Sequence, residues 1–137
     1  MKKILVAVLL IVGAFGFYRV YVMKTAIAVR YPLSELKAIA IEANKNLPVM
    51  VDQLTRLDSV VAHEGILEKR YSLVSTRLSD VNVGEFTAKI SPILISESCR
   101  NKQSLNLYAS GISESLTYSD MEGQKISTIT INKKSCS

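Results

Sequence analysis

His63 is the only histidine in the chain, so any Ser-His-Asp or Cys-His constellation must be built on it. Asp58 and Glu64 are the carboxylates close enough in sequence to orient its ring. A hydrolase made this way would hold His63 in a pocket with a serine hydroxyl at hydrogen-bonding distance. The simpler reading is a solvated neighbour of a hairpin turn, because His63 precedes Glu64-Gly65 between two strand-like runs. Metal binding needs converging ligands, whereas Asp52, Asp58, Glu64 and Glu68 are scattered along that same hairpin. Asp120-Met121-Glu122-Gly123 lacks the regular acidic spacing of a twelve-residue calcium loop and is explained by turn chemistry. The six glycines are isolated, so no phosphate-cradling loop is present. No catalytic residue, metal site or cofactor is assigned.

Cys99 and Cys136 are the two cysteines, and their spacing fits neither a metal site nor a Cys-x-x-Cys redox motif. In an oxidising compartment they are expected to form a disulfide; the alternative is two separate buried thiols. Closing that loop would remove about 4 kcal/mol of unfolded-chain entropy. For recognition rather than catalysis, Arg56, Arg70 and Tyr71 are the expected partner contacts. Thr55-Arg56-Leu57-Asp58-Ser59 and Glu68-Lys69-Arg70-Tyr71 place mixed charges and an aromatic on the first hairpin, and Arg and Tyr are enriched among energetic anchors. The competing reading places Tyr71 in the core and both arginines on a solvated face.

The elements that must position these residues follow from periodicity. Leu36, Ile39, Ala40, Ala43 and Leu47 recur at three- and four-residue steps, predicting a helix over 34–45 that Pro48 ends. Residues 55–63 and 66–74 predict a hairpin closed by Glu64-Gly65. In its second strand Leu67, Tyr71 and Leu73 share one face, with Lys69 the exception, and Glu68, Arg70 and Ser72 share the other. Val83, Phe86, Ile90, Ile93 and Leu94 predict a helix that Pro92 must kink or divide. Lys102 to Ser110 form a short helix ended by Gly111. Ile112 to Ser119 and Lys125 to Asn132 form a second hairpin around Asp120–Gly123. The order α-β-β-α-α-β-β predicts an α+β domain over residues 32–137, with a four-stranded antiparallel sheet and its helices packed on one side.

Residues 1–31 read differently. An apolar run from Ile4 to Phe17 lies there with Lys2, Lys3, Arg19, Lys24 and Arg30, which account for the whole net charge of +5. The remainder is neutral, so the pI near 9.3 does not describe a basic surface and no nucleic-acid partner is expected. Residues 4–23 are long enough for a membrane helix, with Tyr18 and Tyr21 suited to the interface. A cleavable signal peptide processed at Ala14-Phe15-Gly16 is the alternative. Either reading exports the domain: as a single-pass inner-membrane protein facing the periplasm, or free in the periplasm after cleavage.

Leu47-Pro48, Val51-Asp52, Thr55, Asp58-Ser59, Tyr71, Cys99, Gly111, Tyr118, Asp120, Gly123 and Cys136 together resemble a group of small exported, largely uncharacterised proteins of Gram-negative bacteria and their mobile elements. The resemblance covers residues 47–136 and implies export and the disulfide, but no catalytic set. The expected function is therefore a membrane-tethered, non-enzymatic domain that binds a protein or envelope component, in an immunity, inhibitor, exclusion or assembly role. A small envelope hydrolase using His63 and a structural subunit of an envelope complex are the alternatives.

Overall fold

A computed structural model describes residues 31–137, which form one compact unit; the expected membrane segment at residues 4–23 lies outside the described residues. Among the described residues no helix is long and apolar enough to cross a membrane. Helix α1 (Leu33–Asn44) starts where Pro32, extended at φ −61°, offers its carbonyl to the amides of Glu35 and Leu36. It buries Leu36 and Ala40. A two-residue strand β1 (Val49–Met50) precedes the hairpin of β2 (Thr55–His63) and β3 (Ile66–Leu73), whose turn uses Gly65 at φ 74°.

Helices α2 (Val83–Ser98) and α3 (Lys102–Ala109) follow, capped by Asn82 and Asn101, whose side chains accept from the amides of Glu85 and Ser104. The chain ends in the hairpin of β4 (Ser113–Ser119) and β5 (Lys125–Ile131) and a 3-10 turn, Lys133–Cys136. Apart from β1, which the sequence pattern does not predict, and α2, which runs beyond the expected Leu94 to Ser98, the elements lie within a residue or two of the expected bounds. The pairing differs: the sheet has five strands in the order β1-β2-β3-β4-β5 instead of four, and β3 and β4 run parallel. The cause is the connection over residues 74–112. Two helices carry the chain back to the end where β3 began, and a crossover of that length gives parallel neighbours, whereas tight hairpins give antiparallel ones. Pro92 does not divide α2. The hydrogen bond it removes would end at Ala88, and both residues are exposed, so water can satisfy that carbonyl.

Helices α1, α2 and α3 cover the same face. Phe86 of α2 meets Tyr118 edge-on at 5.4 Å, Tyr108 of α3 reaches Glu114, and Leu36 and Ala40 of α1 join Val60 and Leu67 in the core. Leu36, Ile112 and Ile131 are no more than 1% exposed, and each such side chain stabilises the fold by about 2 kcal/mol relative to exposure. The other face carries Glu68, Arg70, Ser72, Ser115 and Thr117 and is polar, as alternation predicts.

Candidate functional site

Between α1 and α3, above β2, β3 and β4, lies a cleft of about 320 Å³. It is lined by Ile39 and Ala43 from α1, by Gln103, Ser104, Asn106 and Leu107 from α3, and by Tyr31. These positions follow from the two helices' local patterns, since residues three and four apart share a face. Val60 and Leu67 make the floor apolar, but Lys69 and Glu114 interrupt it. Lys69 Nζ lies 2.8 Å from Glu114 Oε2, and the Tyr108 hydroxyl donates to Glu114 Oε1 at 2.5 Å.

Glu114 is 2% exposed. Burial works to raise its pKa, yet the charge and hydrogen bond of Lys69 and the Tyr108 bond outweigh it and hold the carboxyl below its usual range. Burial and the neighbouring carboxylate push the Tyr108 phenol well above its ordinary value. The carboxylate is therefore ionised and the phenol neutral near neutral pH, which fits the phenol as the donor of their hydrogen bond. The arrangement is a slot of mixed character, apolar side chains interspersed with a few placed polar groups, of the kind that can fix the orientation of a bound segment.

The residues nominated from sequence lie elsewhere. On the open face of the sheet, His63 Nε2 contacts Glu68 Oε1 at 3.0 Å, Arg70 Nη2 contacts the same oxygen at 3.0 Å, and Thr117 donates to Glu68 Oε2 at 2.9 Å. Burial tends to raise the Glu68 pKa, but the bonds from His63, Arg70 and Thr117 prevail and lower it to about 2. The His63 side chain is 49% exposed, and its hydrogen-bond partner is Glu68 rather than a serine hydroxyl, so the hydrolase arrangement is not assembled. Among the described residues no group of three or more His, Cys, Asp or Glu could hold a metal ion.

Arg56 pairs with Asp58, which also accepts from Ser72, so Arg56 and Arg70 share the open face. Tyr71 does not join them. Successive strand residues point to opposite faces, and Tyr71 stacks on Tyr118 beneath the helices, with ring centroids 4.9 Å apart. Cys99, which caps α2, is disulfide-bonded to Cys136 in the final 3-10 turn, with Cα atoms 5.4 Å apart.

Sequence reasoning missed the cleft floor, although two signals pointed to it. Lys69 breaks the apolar alternation of its strand, and Glu114 shares the parity of Leu116 and Tyr118. A cation and an anion on inward faces of different strands are a candidate buried pair.

No protein-family model and no curated protein matches the sequence. Solved structures share the fold. A candidate secreted protein of Pseudomonas aeruginosa superposes with a TM-score of 0.68 at 15% identity, covering 76% of this chain and 91% of that one. EpsS, a pilotin of the Vibrio vulnificus type 2 secretion system, gives 0.62 at 14% identity over 75% and 89% of the two chains. AspS, the type II secretion system pilotin of Vibrio cholerae, gives 0.59 at 18% identity over 74% and 88%.

Proposed function

We propose that the chain is a non-enzymatic, periplasm-facing domain, tethered to the inner membrane by residues 4–23, that binds a protein partner of the cell envelope in the α1–α3 cleft. The cleft carries this reading: Ile39, Ala43 and Leu107 give it apolar wall surface, Gln103 and Asn106 add polar groups, and the Lys69–Glu114 ion pair, with Tyr108 donating to the carboxylate, lies at its floor. Two proteins of similar fold are pilotins of type 2 secretion systems, which favours an assembly role over immunity, inhibition or exclusion. The resemblance of residues 47–136 to small exported proteins belongs to the same reading.

The test is site-specific photo-crosslinking in intact cells, with the reactive group at Gln103 in the cleft or at Ser115 on the open face. A single protein adduct from Gln103, absent from Ser115 and lost on Ala43→Arg, is the expected result. Equal adducts from both positions, or turnover of ester or peptidoglycan substrates that His63→Ala abolishes, would overturn it. N-terminal sequencing of the membrane fraction tests the tether: a start at Met1 or Lys2 is expected, and a start near Phe17 refutes retention.

A further inference from the structure

The two edges of the sheet are treated differently. At the β1 edge the strand is only two residues long and follows Pro48, and farther along β2 the Asn44 side chain accepts from the Val60 amide and donates to the Val60 carbonyl, both at 2.8 Å. That edge is closed to another strand. The β5 edge is not. The Ser113 amide donates to the Gly65 carbonyl on the β3 side, so the backbones of Glu114, Leu116 and Tyr118 point the other way, toward Ile131, Ile129 and Ser127. Alternation along β5 then turns the N–H and C=O groups of Thr128 and Thr130 outward, where no further strand lies among the described residues and both residues are exposed.

Charge distinguishes the occupants such an edge would accept. Beyond residue 31 the chain is neutral, yet Lys125 at the first position of the strand and Lys133 and Lys134 just after its end form no ion pair among the described residues. A second copy pairing antiparallel, Thr128 against Thr130, would bring Lys125 opposite Lys133 of that copy and be repelled. We infer that the β5 edge is a second docking surface, distinct from the cleft, that adds one extended segment of a partner protein with a threonine- or valine-rich centre flanked by acidic residues.

The probe is a capped peptide, Glu-Val-Thr-Val-Thr-Val-Glu, added to the full chain in zwitterionic micelles while amide hydrogen exchange is followed. At saturation, exchange at Thr128 and Thr130 should slow about tenfold, with Ile129 unchanged. Lysine in place of both glutamates should abolish the effect, and the triple variant K125E/K133E/K134E, altered only at exposed positions, should invert the preference. Equal slowing by both peptides, no slowing at millimolar peptide, slowing that scales with protein concentration alone, or slowing by anionic lipid vesicles in place of peptide would each overturn the inference.

Discussion

Lys69 and Glu114 meet across the one parallel junction of the sheet. Leu67 is in register with Glu114 and Lys69 with Leu116, so the ion pair runs diagonally from β3 to β4 and puts its charges under the helices. Tyr108 from α3 donates to the remaining carboxylate oxygen, which links the helical layer to the same charge. A buried pair of this kind adds little net stability over an apolar replacement, but removing one partner leaves the other uncompensated.

Lys69→Met should therefore destabilise the domain by about 3 kcal/mol in urea denaturation, because Glu114 stays buried without its cation. The double variant Lys69→Met/Glu114→Leu should recover most of that loss. A single variant as stable as the native chain would show that Glu114 is solvated.

Stability should fall in acid through Glu68. Its folded pKa, about 2, lies below the ordinary glutamate value of 4.5, so its contribution is fully present above pH 4.5 and is lost as pH falls toward 2. With solvent screening discounted, the contribution is on the order of 2 kcal/mol. Glu68→Gln should remove it and flatten that part of a pH-dependent thermal unfolding series; an unchanged acid slope would contradict the assignment.

Asn44→Ala removes both bonds to Val60 at the β2 edge, and a loss of about 1–2 kcal/mol is expected. Amide exchange at Val60 should rise more than at residues of β4. Equal acceleration everywhere would mean the effect is global rather than local to the edge.

Replacing Cys99 and Cys136 together by serine opens a loop with a sequence separation of 37 and should cost about 4 kcal/mol on the chain-entropy model. The last turn, Lys133–Cys136, should lose its exchange protection first, since that bond fastens it to the end of α2. Unchanged thermal stability of the double variant would show that packing alone holds the end.

Much of the fold was legible in periodicity. Leu36, Ile39, Ala40 and Ala43 marked α1, the alternation of Leu67, Tyr71 and Leu73 marked the buried face of β3, and Gly65, Gly111 and Gly123, all at positive φ, stand at the turns and cap expected of them. These signals are local: a face repeats every two or 3.6 residues whatever lies opposite it. Arg56 and Arg70 were legible as solvent-facing for the same reason, whereas the choice between core and surface for Tyr71 required its partner Tyr118, 47 positions away, to be placed.

By itself the sequence determined which segments are helix or strand, the short β1 excepted, which strand faces are apolar, the neutrality of the domain beyond Tyr31, and the lack of a histidine-rich or glycine-rich chemistry. Only the tertiary structure decided that β3 and β4 run parallel, that Lys69 finds Glu114, that Asn44 closes one sheet edge, and that a cleft forms between α1 and α3. Each of these is a pairing between segments distant in the chain. Strand direction, ion pairing and cleft shape are set by which apolar faces meet when the helical crossover closes, and no local repeat encodes that meeting.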